Sequence, residues 1–232
     1  MEEDLTQFRI TETKETQKVR RVIAVRHAES IANSQGIYQG QSYDTGLSPL
    51  GIKQAKALAK KAQGLSVKRI ITSPLKRTLH TARMIAKRTG VDLAVEDDLV
   101  ETNHGLWEGK RKDWIESNYS ELTKLWQKNP SKVRFPQGES FMETVERVLK
   151  FLDNKNFDED TLIVTHDNIL RVMVALVKNI DIDKIWDLEI ESGALSYFEV
   201  NKIKGKNVYR LLKINDTGYL EGLRSNLNNH AL

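Results

Sequence analysis

Two histidines each follow a short apolar run, and this repeated arrangement constrains the chain more than any other feature. His27 comes after the run 22–25 and Arg26, and His166 comes directly after the run 162–165. Apolar runs of this length predict buried strands. Ligands of α/β proteins bind outside the carboxyl ends of such strands. The pattern therefore predicts that the two histidines meet in one site at one edge of a sheet.

Strand and helix patterns alternate along the 232 residues, a length that suits one α/β domain. Strands are predicted over 20–26, 68–72, 91–95 and 161–165, followed by a hairpin of 194–200 with 207–214. Helices are predicted from Ser48-Pro49 to about Gly64, from Ser73-Pro74 to about Thr89, from Ser140 to about Leu152 and over 168–178. This alternation predicts a three-layer α/β/α sandwich with a mostly parallel central sheet.

The ends of the chain are expected to lie outside this domain. Residues 1–18 are polar and lack apolar periodicity, which predicts a flexible N-terminal extension. The domain is expected to span 19–214, with a helical cap insertion at 111–135 and a polar C-terminal tail at 215–232. Ser30 and Ser73 are expected to be helix caps rather than nucleophiles, because neither lies in a nucleophile elbow.

Composition narrows the functional classes. The chain has 39% hydrophobic and 29% charged residues and no cysteine, which excludes disulfides, thiolate metal sites and a cysteine nucleophile. It has no long apolar run and an acidic N-terminus, so we expect a cytoplasmic protein with no membrane association.

The net charge of +4 comes from interspersed charges rather than a basic block. A small phosphorylated substrate is therefore expected rather than nucleic acid. The sequence makes no prediction of oligomeric state.

Four basic side chains are expected at this edge of the sheet. Arg26 and His27 end the first strand, Arg77 lies in the first turn of the helix after the second strand, and His166 ends a third. Bringing such groups together unpaired would be costly, and a dianionic phosphoryl group would remove that cost. The planar guanidinium donates two parallel hydrogen bonds to phosphate oxygens. The pattern predicts a phosphoryl-binding site.

Such a site suits a histidine nucleophile. Neighbouring cations disfavour the imidazolium and keep a lone pair available for attack. A departing alkoxide needs an acid, and Glu101, just beyond the third strand, is the candidate. Glu108 is a weaker candidate, expected to be a structural hydrogen-bond acceptor, and His104 is expected to face solvent rather than line the site. This chemistry requires neither a metal nor a cofactor.

These residues resemble the histidine phosphatase superfamily, also called the phosphoglycerate mutase-like family, over roughly residues 20–200. The resemblance is specific because six blocks occur in the family order. The blocks are Arg26-His27-Ala28-Glu29-Ser30 with Asn33; Asp44, Leu47-Ser48, Gly51 and Gln54-Ala55; Ser73-Pro74-Leu75-Lys76-Arg77-Thr78 with Thr81-Ala82; Glu101, Gly105, Trp107 and Glu108-Gly109; Pro136, Gly138-Glu139-Ser140 and Arg147; and Thr165-His166. Ala28 departs from the glycine that the family more often has.

The resemblance implies a role for each site residue. His27 would become phosphohistidine, and Glu101 would donate the proton. The phosphoryl oxygens would be bound by Arg26, Arg77 and His166, with Asn33 nearby. The family fold is an α/β/α sandwich, in agreement with the prediction from periodicity.

The resemblance leaves the reaction open between hydrolysis and phosphoryl transfer. Cofactor-dependent mutases of the family usually carry a long insertion between the segments that correspond to Glu108-Gly109 and Gly138, and only 28 residues intervene here. This favours the phosphatase branch over a phosphoglycerate mutase-type phosphotransferase. A non-catalytic phosphate-binding relative is the third alternative, and it would lack an essential residue. The sequence does not identify the phosphoester.

Overall fold

The computed structural model of the protein describes residues 19–226, and the predicted N-terminal extension over 1–18 lies outside them. The strands are β1 (Arg20–Arg26), β2 (Arg69–Thr72), β3 (Leu93–Val95), β4 (Thr161–Thr165), β5 (Leu195–Ile203) and β6 (Lys206–Asp216). The helices are α1 (Ile31–Gln35), α2 (Pro49–Ala62), α3 (Lys76–Thr89), α4 (Lys112–Asn118), α5 (Ser120–Lys128), α6 (Phe141–Asn154) and α7 (Asp167–Lys178). Across residues 19–226, no helix combines the length and apolar character needed to cross a membrane.

The six strands form one sheet in the order β3-β2-β4-β1-β5-β6. The strands β1 to β4 are parallel, and β5 and β6 are antiparallel additions at one side. At the centre β1 lies beside β4 with Arg26 opposite Thr165. The residues that follow, His27 and His166, therefore leave the same edge of the sheet side by side.

Helices cover both faces of the sheet, which confirms the predicted three-layer sandwich. Successive side chains of a strand point to opposite faces. In β1, Ile23 and Val25 pack with α2 and α3, whereas Val22 and Ala24 belong to the core that contains α6 and α7. All four side chains are at most 1% exposed. A strand buried on both faces reads as a continuous apolar run, as β1 does.

The start of α3 differs from the prediction. Ser73 is not its N-cap, and the helix begins at Lys76 rather than at Pro74. The carboxylate of Asp44 accepts a hydrogen bond from the Lys76 backbone N–H at 2.7 Å, which satisfies the first turn from a distant segment. A contact between residues 32 positions apart leaves no local signal, so the Ser-Pro pair suggested the wrong cap.

The helix α2 lies very close to the segment after β1 at Gly51. A Cβ atom there would lie 1.9 Å from the backbone oxygen of Glu29, two residues beyond His27. We expect Gly51→Ala to lower the free energy of unfolding by about 1–3 kcal/mol through overpacking. Urea denaturation monitored by circular dichroism measures the change.

The matched control is Gly64→Ala, because a Cβ atom at Gly64 meets nothing within 4 Å. This change is expected to be neutral or to stabilise by up to about 1 kcal/mol. Equal destabilisation by both substitutions would contradict the packing argument.

Candidate active site

A small recess opens at the carboxyl edge of β1 and β4, and several of the predicted residues line it. Its walls are formed by Arg26, His27, Asn33, Ile37, Gln39, Arg77, Glu101 and Asp167. The remaining predicted residue, His166, is fully buried behind His27, with the two ring centroids 5.3 Å apart at an angle of 66°. The structure therefore brings together residues that are up to 141 positions apart in the sequence.

The backbone fixes the orientation and the tautomer of His27. Its Nδ1 lies 2.8 Å from the carbonyl oxygen of Ala28. A carbonyl oxygen only accepts hydrogen bonds, so Nδ1 carries the proton and the lone pair of the neutral ring is on Nε2. The backbone N–H of His27 donates to Thr165, and Gly193 N–H donates to the carbonyl oxygen of His27. These contacts hold the imidazole at the end of β1.

The buried guanidinium of Arg26 already has a carboxylate partner. Its Nη1 donates to Asp167 Oδ1 at 2.9 Å and to the carbonyl oxygen of Ile190 at 2.8 Å. The side chain is 2% exposed, and burial lowers its pKa while Asp167 raises it. A buried guanidinium without a partner would cost several kcal/mol.

The second guanidinium, that of Arg77, is held in the same way. Its Nη1 donates to Asp44 Oδ1 at 3.0 Å and its Nη2 to the carbonyl oxygen of Gly40 at 3.0 Å. Each arginine therefore has its own carboxylate partner, so part of the cost of bringing these cations together is already offset without a phosphoryl group. The Nε of Arg77 is buried and makes no hydrogen bond with any residue in 19–226. A buried donor of this kind requires an explanation, and a bound anion or water at the recess would supply one.

The carboxyl group of Glu101 is 4% exposed and lines the recess. Burial raises its pKa to about 7 from an ordinary value of 4.5, and the opposing effect of Arg77 is smaller. The group is therefore protonated in a substantial fraction of molecules at neutral pH. A carboxylic acid at such a position can donate a proton to a leaving group.

This raised pKa predicts how stability changes with pH. Between pH 4.5 and 7 the unfolded chain releases the Glu101 proton and the folded protein keeps it, so this group's contribution to stability falls as pH rises through 7. Glu101→Gln removes the titration. As the pH rises from 4 to 8, we expect the free energy of unfolding of the native protein to fall by about 3 kcal/mol relative to that of the variant, since one pKa unit is about 1.4 kcal/mol. Urea midpoints across this range test the sign, and parallel profiles would contradict it.

Asn33 lines the recess from the first turn of α1. Its Oδ1 accepts from the backbone N–H and the hydroxyl of Ser30, and its own backbone N–H donates to Ser30 Oγ. These bonds form a capping box, so the predicted cap at Ser30 is confirmed. The Nδ2 group of Asn33 makes no hydrogen bond with the described part of the chain, and it is available to a ligand.

Ser73 has a different role from the predicted cap. Its Oγ lies 2.8 Å from His166 Nε2. Burial lowers the pKa of His166 well below its ordinary value, and the charge of Arg77 lowers it further, so the ring is neutral. The other ring nitrogen, Nδ1, is buried and makes no hydrogen bond with residues 19–226. Ser73 therefore orients a neutral imidazole beside His27.

Glu108 is fully engaged as a structural acceptor. Its carboxylate accepts hydrogen bonds from the backbone N–H groups of Gln41, Ser42, Tyr43 and His104. Burial raises its pKa, but the hydrogen bonds from Ser42 and the backbone outweigh this and lower it overall. An ionised, saturated carboxylate is a poor proton donor, so Glu101 is the stronger candidate for such a role.

The expectation that His104 faces solvent is wrong. The ring is fully buried and packs edge-on against Phe135 at 4.7 Å. Its Nδ1 lies 2.5 Å from the carbonyl oxygen of Gln39, and its Nε2 lies 3.3 Å from Asn168 Nδ2. Burial lowers its pKa. A neutral ring that donates from Nδ1 and accepts at Nε2 satisfies both contacts, and it ties the Gln39 segment to the start of α7.

Asp167 and Gln39 are recess residues that the sequence did not reveal. Asp167 opens α7, where an acidic residue has an ordinary explanation as a partner of the helix dipole. Gln39 lies in an irregular segment, so neither helical nor strand periodicity could indicate which way its side chain points. No group of three or more His, Asp or Glu side chains placed to hold a metal ion occurs within 19–226.

Comparisons with known proteins agree with this arrangement. A family model for the histidine phosphatase superfamily (branch 1) matches residues 22–217. The chain is 34% identical to phosphoserine phosphatase 1 of Hydrogenobacter thermophilus, over 86% of this chain and 94% of that protein. It is 27% identical to the adenosylcobalamin/alpha-ribazole phosphatase of Escherichia coli K12, over 78% of this chain and 91% of that protein.

A solved structure, that of Bacillus stearothermophilus YhfR, superposes with a TM-score of 0.79 at 24% identity. The alignment covers 87% of this chain and 99% of that one, which shows a shared fold. The family match includes all of the sheet except the first two residues of β1, and it includes every residue that lines the recess. The chain belongs to the histidine phosphatase superfamily, branch 1.

Proposed function

We propose that the protein is a phosphomonoester hydrolase that acts through a phosphohistidine at His27, with Glu101 as the proton donor. The observation that carries the proposal is the Nδ1 contact of His27 with the Ala28 carbonyl oxygen at 2.8 Å. This contact directs the lone pair to Nε2 at the wall of a recess lined by two guanidinium groups. Nucleophilic catalysis requires such an oriented lone pair.

In the first step, the phosphoryl group of the ester lies between Arg26 and Arg77, with the Nδ2 group of Asn33 as a further donor. The Nε2–phosphorus bond forms as the ester phosphorus–oxygen bond breaks. Glu101 transfers its proton to the departing alkoxide, which leaves as an alcohol. The guanidinium groups stabilise the charge on the equatorial oxygens.

In the second step, water attacks the phosphorus of the phosphohistidine. The Glu101 carboxylate accepts a proton from this water, the nitrogen–phosphorus bond breaks, and orthophosphate forms. His27 and Glu101 then return to their initial protonation states. His166, kept neutral by burial and oriented by Ser73, is proposed to contact the phosphoryl oxygens. Because the side chains supply the charge and the proton, the proposed reaction proceeds without a metal.

Two observations favour hydrolysis of small organic phosphates over a mutase reaction. The segment between Gly109 and Gly138 contains only the short helices α4 and α5 and a single 3-10 turn, a cap too small to enclose an intermediate from water. The relatives named above are phosphatases of phosphoserine and of alpha-ribazole phosphate. A mutase-type relative also occurs, a probable phosphoglycerate mutase of Erwinia tasmaniensis at 32% identity over 67% of this chain.

The test is a substrate panel assayed in the presence of EDTA. Phosphoserine, alpha-ribazole phosphate and 3-phosphoglycerate are each incubated with the protein, and orthophosphate is measured. We expect orthophosphate from at least one ester, unchanged by EDTA. Isomerisation of 3-phosphoglycerate with a bisphosphoglycerate primer and no orthophosphate would assign a mutase instead. Binding of orthophosphate without turnover of any ester would indicate a non-catalytic relative.

A further inference from the structure

A second and larger cavity of about 390 Å³ lies between the helices α4 and α5 of the cap and the helix α7. We call it the cap cavity, and its walls include Tyr38, Lys112, Glu116, Trp126, Arg171 and Trp186. Within the described residues it shares no lining side chain with the recess. We propose that the cap cavity binds a flat aromatic anion, and that this second ligand weakens phosphoryl binding at the recess.

The apolar walls of the cap cavity are preformed. The rings of Trp126 and Trp186 meet edge to face with centroids 4.8 Å apart. The Nε1 group of Trp186 donates to the Trp126 carbonyl oxygen at 2.7 Å, which fixes the second indole. Tyr38 is 3% exposed and adds a third ring. Rigid aromatic walls favour a flat apolar body that can stack or pack against ring edges.

The charged groups of the cap cavity favour an anion. Arg171 lies over the Trp186 ring, 5.2 Å from its centroid, and its Nη2 makes no hydrogen bond with residues 19–226. The Lys112 ammonium group has no ion-pair partner in the described part of the chain. Glu116 is the single acid among the six named wall residues. Arg171 is also paired with Asp167, but that carboxylate is shared with Arg26, so the three cations Lys112, Arg171 and Arg26 stand against two acids, Glu116 and Asp167. A positive balance therefore remains beside the aromatic rings.

The carboxylate of Asp167 connects the two sites. Its Oδ1 accepts from Arg26 Nη1 at 2.9 Å and its Oδ2 accepts from Arg171 Nε at 2.8 Å. The group is 1% exposed, so the interaction is weakly screened by solvent. Charges therefore alternate from the phosphoryl group through Arg26, Asp167 and Arg171 to an anion in the cap cavity.

This alternation predicts antagonism between the ligands. An anion that binds Arg171 weakens the pull of that guanidinium on Asp167, and Asp167 then neutralises Arg26 more fully. Arg26 becomes a weaker ligand for the phosphoryl group. Coupling between sites is reciprocal, and it commonly amounts to about 5- to 150-fold in affinity. The coupling rests on the proposed function of the recess, whereas binding in the cap cavity does not.

The binding test is calorimetric titration of the full chain with naphthalene-2-sulfonate. The neutral naphthalene-2-sulfonamide and the small anion methanesulfonate are the comparison ligands. We expect each of them to bind at least 10-fold more weakly, because one lacks the charge and the other the rings. Lys112→Gln is expected to weaken sulfonate binding about 10-fold. Lys124→Gln, an exposed lysine of α5 paired with Glu121, is the matched control and should change nothing.

Equal affinity of naphthalene-2-sulfonate for the Lys112→Gln and Lys124→Gln variants would overturn the assignment of the cap cavity. Equal affinity for the sulfonate and the sulfonamide would overturn the anion preference. Either result leaves the proposed hydrolase function untouched, since neither lysine lines the recess.

The coupling test measures orthophosphate binding with and without saturating naphthalene-2-sulfonate. We expect the Kd of orthophosphate to rise about 5- to 10-fold and then to reach a plateau, and the rise to vanish in Arg171→Gln. A rise without a plateau would mean direct competition at the recess and would overturn the coupling, as would an unchanged Kd. Failure of orthophosphate to bind with the sulfonate absent would count against the proposed function instead.

Discussion

Replacement of His27 by alanine should lower the kcat for ester hydrolysis by about 10⁴-fold or more, which is the scale of losing a covalent nucleophile. The variant retains both arginines and Glu101, but it has no atom that can form the bond to phosphorus. Orthophosphate release from the best substrate of the panel measures the loss. The control is His80→Ala, an exposed histidine of α3, which should keep native activity.

The same pair of variants tests the intermediate directly. Native protein quenched during turnover of a ³²P-labelled ester should carry an acid-labile, base-stable phosphoryl adduct, as expected of a phosphoramidate. His27→Ala should carry none, and His80→Ala should carry as much as the native protein. Undiminished turnover or labelling in His27→Ala would remove His27 from the reaction and, with it, the proposed mechanism.

Glu101→Gln should lower kcat/KM, which reports the steps up to formation of the phosphohistidine, by about 10²- to 10⁴-fold for alkyl phosphates, whose alkoxides need a proton to leave. The loss should be much smaller for p-nitrophenyl phosphate, because nitrophenolate leaves without protonation. In the native protein the rate for alkyl phosphates should fall as pH rises above about 7, where the acid ionises. This limb of the profile should be absent from the variant. Rates with both esters between pH 5 and 9 measure these differences.

Glu146→Gln, an exposed acid of α6, is the control for this experiment and should leave both rates unchanged. The ratio between the two esters carries the argument, because a general loss of folding would lower both rates equally. Equal losses for the alkyl and nitrophenyl esters would therefore assign Glu101 to binding or structure rather than to proton transfer.

The sheet and the pairing of the histidines could be predicted from the sequence because they depend on local patterns. A strand buried on both faces leaves an apolar run, and a parallel sheet brings strand ends to one edge, so His27 and His166 follow from two short segments. The observed strands agree with the predicted ones to within about three residues; β3 begins at Leu93 rather than at 91, and β6 continues to Asp216 rather than ending at 214.

The partners of the charged residues could not be predicted, because they lie far away along the chain or in irregular segments. Asp44 reaches Arg77 across 33 positions, and Asp167 reaches Arg26 across 141. His104 lies between β3 and α4, where the chain has no extended period that would show which side is buried. Its burial depends on Phe135 and the Gln39 segment, which meet it only in the folded protein.

The carboxylates that accompany both arginines also bear on how fast the protein can complete a cycle. Two bare guanidinium groups in so small a recess would retain the orthophosphate product tightly, and its departure would then limit turnover. Asp44 and Asp167 offset part of that attraction in advance, at 3.0 and 2.9 Å from the guanidinium nitrogens. Product inhibition should accordingly be weak, and removal of either aspartate should make orthophosphate a stronger inhibitor.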